Sequence, residues 1–406
     1  MDLLPSPHQS QSQDYPQVFR QLQQHLDQLP IGFPATTSGI ELRILTRLFT
    51  PLEAQISLSL NLLPSSPKQV WHRIQKQKEL QTDELNLQMI GDILSTLAKK
   101  GAIMMGWRKS IPVYSNAMLA IGMFEFQGDF MTKEFAGDVL QYMDEGFRDE
   151  FFQQSPLQVR PIPTKGVLTP EFPIARYDDI REIINHVTGP ISAVNCVCKC
   201  SQDLLGNPCK VTNKRLWCLT LSYDPKYDPN TADFFHKERK ILSKAETFDL
   251  LTAAEKEGLV LQPSNSQKPI FVCLCCGDCC GVLSEAKKLP KPAQFFQSNY
   301  FISYSATECI SCFRCVSRCQ MDAITKNGTQ GVNGRNGVTI DYDRCIGCGL
   351  CVTTCKSQAL QLIRKAIQNS PPKDTTRLYI KILEGKMGRF KAYRMLFQLL
   401  FGVAPH

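Results

Sequence analysis

The sequence predicts an α+β protein of several domains, and three observations carry that prediction. The chain has 406 residues, enough for two to four domains at about 100–200 residues each. Helical periodicity dominates residues 40–107, whereas strand-like and helical patterns mix from residue 173 onward. All 18 cysteines lie between Cys196 and Cys355, so the two halves of the chain have different chemistry. Six segments follow: an N-terminal extension over 1–39, a helical domain over 40–154, a Pro-rich connector over 155–172, a Cys-rich α+β domain over 173–293, a domain built on a repeat over 294–366, and a basic amphipathic tail over 367–406.

The helical domain begins with apolar periodicity over Ile40 to Phe49 and Pro51 to Leu60, and a shorter pattern runs over Pro67 to Gln77. From Glu84 to Lys100, Leu85, Met89, Ile93 and Leu97 recur at four-residue steps, Ile90 and Leu94 widen the stripe, and Gly101 follows as a C-cap. The stretch from Gly101 to Tyr114 reads as a short β-ribbon, and helices followed by a ribbon make this segment winged-helix-like. Ser155 to Phe172 holds four prolines with little periodicity and reads as extended connector. Beyond it, Tyr177 to Val187 and Lys244 to Gly258 read as helices, and Ile191 to Val197 and Pro269 to Cys273 as strands. Leu289 to Ala293, with two prolines, reads as the boundary to the last domain. In the tail, Leu378 to Phe401 reads as one amphipathic helix. Lys381, Lys386, Arg389, Lys391 and Arg394 stand there beside Phe390, Met395, Leu396, Phe397, Leu399, Leu400 and Phe401.

Residues 1–39 are rich in Gln and Pro and show no apolar core of the kind an exported precursor carries, which gives the expectation of a cytoplasmic protein. In that reducing compartment 18 thiols point to metal ligation or redox chemistry rather than disulfides. No run of about 18 apolar residues occurs. The formal charge of +8 invites an anionic partner, but it counts every cysteine as a neutral thiol.

The chemistry is concentrated in an internal repeat. Ala306 to Thr325 (ATECISCFRCVSRCQMDAIT) and Tyr342 to Gln361 (YDRCIGCGLCVTTCKSQALQ) align at an offset of 36 residues with Cys at the same four places. Each half carries the spacing C-x2-C-x2-C-x3-C: Cys309, Cys312, Cys315 and Cys319, then Cys345, Cys348, Cys351 and Cys355. Structural zinc sites use two separated pairs. Three thiolates two residues apart instead wrap one corner of a 4Fe-4S cubane, while the fourth reaches the other cluster. The expected sets are Cys309, Cys312, Cys315 and Cys355 for one cluster and Cys345, Cys348, Cys351 and Cys319 for the second. Lys326 to Asp341, rich in Gly and Asn before it turns β-like, reads as a hairpin between the halves.

Over roughly Ser305 to Leu362 the chain resembles the bacterial two-cluster ferredoxins. Gln320 and Lys356 stand where many of those proteins have Pro after the fourth Cys. Between Ser305 and Ala366 eight Lys or Arg face four Asp or Glu, and this positive excess favours the reduced, more negative clusters.

Ten further cysteines form two groups upstream. Cys196, Cys198 and Cys200 alternate at the end of a predicted strand and are followed by Cys209 and Cys218. Residues two apart on a strand share a face, so Cys196 and Cys198 are expected to point at one metal; the preferred reading is a third 4Fe-4S cluster on Cys196, Cys198, Cys209 and Cys218. Cys273, Cys275, Cys276, Cys279 and Cys280 form C-x-C-C-G-D-C-C, with Gly277 and Gly281 allowing close backbone approach. This group is read as a fourth cluster or as redox thiols; a zinc site, a dithiol pair and buried core thiols are the alternatives.

Taken whole, residues 19–364 resemble a group of 4Fe-4S dicluster-domain proteins of anaerobes. The residues that carry the resemblance are PIGFPATTSGIELRILTRLFTPLEA from Pro30 to Ala54, CVCKCSQDLLGNPC from Cys196 to Cys209, CLCCGDCCGVL from Cys273 to Leu283, and the two ferredoxin runs. Cys200 departs from that pattern and reads as an extra thiol. The resemblance implies a winged-helix-like N-terminal segment, a Cys-rich middle domain, a ferredoxin-like C-terminal domain, and single-electron transfer to or from a redox partner protein. No catalytic residue is expected, since no G-x-G-x-x-G, P-loop or H-E-x-x-H occurs; an electron-transfer protein or oxidoreductase subunit fits better than a stand-alone enzyme. The rival reading is a redox-sensing transcriptional regulator that binds DNA through the N-terminal segment. Against it, Glu84, Asp92, Lys99 and Lys100 on the would-be recognition helix cancel, where phosphate contact needs a basic face. His25, His72, His186 and His236 are scattered singly and read as ordinary residues. The basic tail suits an anionic membrane surface, a partner, or its own domain.

Overall fold

The computed structural model describes residues 15–77, 85–164, 175–229, 238–330 and 336–400. Expectations placed on the Gln-rich start, on Glu84, on residues 165–172 of the connector, on His236, on the loop 331–335 and on Phe401 lie outside the described residues. The chain forms two compact units, Met1–Met123 with Gly137–Glu150, and Phe124–Ala136 with Phe151–His406.

In the first unit the helices include α1 (Gln17–Leu26), α2 (Ile40–Leu48), α3 (Pro51–Ser57), α4 (Pro67–Ile74) and α5 (Leu87–Lys99). Local chemistry sets their starts. Thr50 with Glu53, and Ser66 with Gln69, form capping boxes with Pro at the first helical turn. Asn86 accepts the Met89 N–H at 3.0 Å. The buried face of α5 is Ile90, Leu94, Leu97 and Ala98, while Met89 is 39% exposed. The stripe through Met89 and Ile93 is therefore corrected by about one residue of rotation, toward Ile90 and Leu94. The ribbon after α5 is an antiparallel pair, β1 (Ile103–Arg108) and β2 (Ile111–Asn116).

The second unit is built on a five-stranded antiparallel sheet in the order β5-β3-β4-β7-β6. Its strands are β3 (Ile191–Asn195), β4 (Leu216–Leu221), β5 (Arg239–Leu242), β6 (Val260–Pro263) and β7 (Phe271–Cys275). Trp217, fully buried, packs with Ile183, Leu219, Leu261 and Leu274 beneath it. The strand expected over Ile191 to Val197 stops at Asn195, and Val197–Leu204 is a helix with Cys196 at its N-cap. Of the Pro-rich connector, residues 156–164 are buried. Ile162 N–H donates to Leu261 C=O at 3.0 Å, which lays the connector beside β6.

The C-terminal repeat joins its halves through β8 (Tyr300–Tyr304) with β11 (Leu360–Arg364), and through the hairpin of β9 (Ile324–Gln330) with β10 (Asn336–Ile340). It belongs to the same compact unit as the sheet, and the proline pair at 290 and 292 is no loose hinge. Arg318 donates to the carbonyls of Glu255 and Lys256 where the helix Lys244–Glu257 ends in left-handed Gly258 (φ 85°), a favourable place for a cation. Lys287 pairs with Asp322 at 2.6 Å and Lys291 with Asp343 at 3.0 Å. The single tail helix expected from Leu378 is corrected to two, Thr375–Met387 and Arg389–Leu400, broken at Gly388 (φ 82°). Leu378, Ile382, Leu383, Ala392, Met395 and Leu399 are buried, whereas Phe390 and Phe397 are exposed.

Candidate metal centres

The repeat builds two cavities. One is lined by Cys309, Cys312, Cys315 and Cys355, together with Tyr304, Phe313 and Val338. The other is lined by Cys345, Cys348, Cys351 and Cys319, with Ile302, Met321 and Leu350. Each cavity thus holds three thiols from one run and the fourth from the other. Left-handed backbone at Ser311 (φ 58°), Phe313 (φ 55°), Gly347 (φ 66°) and Gly349 (φ 76°) curls the two runs around their cavities. Burial pushes the Cys315 thiol up to about 11 and Cys348 to about 12. Such thiols stay protonated until a metal takes the proton's place, which is how thiolate sites are loaded. Four sulfur donors in an apolar pocket fit a 4Fe-4S cluster in both places.

The ten upstream cysteines fall into a grouping that differs from the expected one. Cys218 on β4 stands directly opposite Cys273 on β7, and Cys275 shares the face of Cys273 two residues on. Cys196 and Cys198 reach the same place from the N-cap and first turn of the helix Val197–Leu204, and Cys280 arrives from the turn after β7. Side-chain contacts close the loop: Cys196 to Cys198 and Cys218, Cys198 to Cys280, Cys218 to Cys273, and Cys275 to both Cys273 and Cys280. Hydrogen bonds from Cys198 and Cys218 hold Cys196 well below its ordinary value, and those from Cys273 and Cys280 hold Cys275 down to about 5. Six thiols from both expected groups therefore face one another.

Cys209, expected with Cys196, lies instead with Cys276, Cys279 and Asp278, whose donor atoms are all within 4.8 Å of one another. Cys276 Sγ is 3.4 Å from Cys279 Sγ and 3.7 Å from Cys209 Sγ. Lys199, fully buried, donates to Cys276 Sγ at 3.2 Å. A hydrogen bond from Cys279, aided by Lys199, holds Cys276 down to about 6 against its burial. Cys200 belongs to neither group, and burial raises it to about 11. The chain turns helical at Val197, so Cys196 and Cys198 meet through the start of a helix rather than along a strand, and Cys200 is carried to another side.

Sequence reasoning gave no role to Lys199, Asp278, Tyr304 or Gln320. Lys199 sits between two cysteines and Asp278 inside a cysteine run, and that flanking was the available signal. Gly277 does approach backbone closely, as its place in the motif suggested, but its neighbour is protein: an added Cβ would lie 1.9 Å from the Gln320 carbonyl oxygen. Gly281 needs no such allowance, since its Cβ would meet Cys198 Sγ at an ordinary 3.8 Å. No helix among the described residues is long and apolar enough to cross a membrane.

No curated protein and no solved structure matches the chain. Residues 308–359, the stretch that contributes both crossed sets of thiols, match the 4Fe-4S dicluster domain family, and this part of the chain is a 4Fe-4S dicluster domain.

Proposed function

We propose that the protein relays single electrons between redox partner proteins through two 4Fe-4S clusters, with a further iron–sulfur centre on the six-thiol ring. The carrying observation is the crossed lining of the two repeat cavities, in which Cys355 joins the first run and Cys319 the second. Such clusters change oxidation state by one electron with little movement of atoms. The chain's contribution is to space them, bury them and balance their charge. Ile302, Ile324, Val338 and Leu360 pack between the two runs, and the lysines and arginines of the repeat offset the negative clusters. A partner surface is supplied by Phe390 and Phe397, exposed beside Arg389, Lys391 and Arg394, which suits an acidic redox protein. The helices and ribbon of the first unit serve docking in this reading rather than DNA contact, because Trp107 and Ile111 are exposed on the ribbon.

Anaerobically purified protein tests the proposal. It should contain at least about eight iron and eight acid-labile sulfide per chain from the two cubanes, and should take up electrons one at a time in a reductive titration followed by electron paramagnetic resonance. Stoichiometric zinc without acid-labile sulfide would overturn it.

A further inference from the structure

We infer that Cys209, Cys276, Cys279 and Asp278 form a separate tetrahedral site for one divalent, thiolate-seeking metal ion, zinc or ferrous iron, that is not part of any iron–sulfur cluster. This goes beyond the relay reading and does not depend on it.

The distances carry the inference. Metal–thiolate bonds of about 2.3 Å at tetrahedral angles set two sulfurs on one ion about 3.8 Å apart, and a carboxylate oxygen at about 2.1 Å lies about 3.6 Å from each sulfur. The observed sulfur pairs are 3.4 and 3.7 Å apart. Asp278 Oδ1 lies 3.4 Å from Cys279 Sγ and 3.8 Å from Cys209 Sγ. A cubane carries each thiolate on a different iron, so its ligands stand well apart. Among the described residues the donor group packed within 4.8 Å is Cys209, Cys276, Asp278 and Cys279, and the dicluster cysteines are not part of such a group. Four donors packed to the edges of a single tetrahedron do not fit a cubane.

The surroundings agree. Cys209 comes from the loop after the helix Val197–Leu204, and the other three donors from the turn after β7, so distant stretches of chain converge on one point. Three thiolates and a carboxylate exceed the charge of a divalent ion, and fully buried Lys199 on Cys276 Sγ returns one positive charge from the far side of the sulfur, as outer partners of metal ligands commonly do. Asp278 Oδ2 accepts the Lys210 N–H at 2.8 Å, leaving Oδ1 to the metal. Asp278 is exposed whereas Cys276 and Cys279 are buried. The carboxylate therefore closes the solvent side, where an outside ligand could displace it.

The test uses the full chain, purified anaerobically, with zinc, iron and acid-labile sulfide counted per chain. Cys276→Ser with Cys279→Ser should lose one metal ion while sulfide and the resonance of the dicluster domain stay unchanged. Cobalt(II) loaded into the vacated site of the parent protein should give the intense absorption of tetrahedral cobalt thiolate, absent from the double variant. A loss of sulfide in step with the metal would assign these cysteines to a cluster, and an unchanged metal count would leave them as plain thiols; either result overturns the inference. If the double variant does not fold, Asp278→Asn at the exposed corner keeps all three thiols. It should shift the cobalt spectrum, and an unshifted spectrum rejects the fourth ligand. Failure of the relay reading would appear separately, as absent sulfide in the parent protein, with the single-ion difference still present.

Discussion

The backbone N–H of Gly277 donates to Gln320 Oε1 at 2.7 Å. Gly277 lies between Cys276 and Cys279, and Gln320 follows Cys319, the thiol that crosses into the second cavity of the repeat. One hydrogen bond thus joins the turn of the four-donor site to the rim of a cluster cavity. It also explains why Gln320 stands where the two-cluster ferredoxins often have Pro: a proline side chain has no acceptor for this N–H. The backbones approach so closely that only a glycine fits, since any Cβ at Gly277 would strike the Gln320 carbonyl.

Two substitutions follow from that contact. Gly277→Ala places a methyl group against backbone that cannot swing away, and should cost about 1–3 kcal/mol as overpacking does. Gln320→Ala leaves the buried Gly277 N–H without its acceptor, a loss of about 1–3 kcal/mol. Both should lower the melting temperature of the metal-loaded protein relative to an exposed control such as Lys391→Ala. A Gly277→Ala protein that melts with the parent would contradict the close approach.

The crossed lining of the repeat cavities makes a second prediction. Cys355→Ser should perturb the cluster held by Cys309, Cys312 and Cys315, and Cys319→Ser the one held by Cys345, Cys348 and Cys351. Mössbauer and electron paramagnetic resonance spectra of the two variants should differ from the parent in opposite clusters. If each variant damages the cluster of its own run, the crossed assignment falls.

Spacing made the dicluster domain legible because its ligand loops are local: three thiols within seven residues leave few geometries, and the repeat fixes the fourth. The ten upstream cysteines were less legible, for reasons that can be located. Sequence groups them by proximity along the chain, but a sheet groups them by register, and Cys218 meets Cys273 only because β4 lies beside β7. Cys209 joins Cys276 across 67 residues, a loop closure that no local pattern encodes. The burial of residues 156–164 was illegible for a related reason. Proline-rich extension looks the same in a linker and in a segment laid along a sheet edge, and the difference lies in Arg160.

Arg160 provides the third prediction. It is 2% exposed and pairs with Asp178, also 2% exposed, whose second oxygen accepts from Asn299 Nδ2 at 2.8 Å. The network ties the connector to the start of β8. Burial lowers the guanidinium, with Asp178 working against that shift. Removing one member of a buried pair strands the other charge and typically costs about 3–5 kcal/mol, whereas replacing both with apolar groups costs far less. Asp178→Ala should therefore destabilise the protein more than Arg160→Met combined with Asp178→Leu. Equal or greater loss in the double variant would mean that the pair itself, rather than the stranded charge, dominates.

The last prediction concerns pH and the first unit. His25, on α1, is largely buried with Nε2 2.8 Å from the Leu60 carbonyl oxygen. Burial lowers its pKa below the ordinary 6.5, and the bond to Leu60 offsets this only in part. Between the folded value and 6.5 the unfolded chain binds a proton that the folded chain refuses, so stability falls as the pH drops below about 6.5 and is constant above it. The slope can reach about 1.4 kcal/mol per pH unit for one group. Since other groups titrate in the same range, the informative quantity is the stability difference between the parent and His25→Gln, whose amide can still donate to Leu60. That difference should move in favour of the glutamine variant as the pH falls from about 7.5 to 5.5, read from thermal unfolding by circular dichroism. A difference that stays flat across this range would show that His25 carries its proton equally well in both states, and would remove the buried, neutral imidazole from the account of α1.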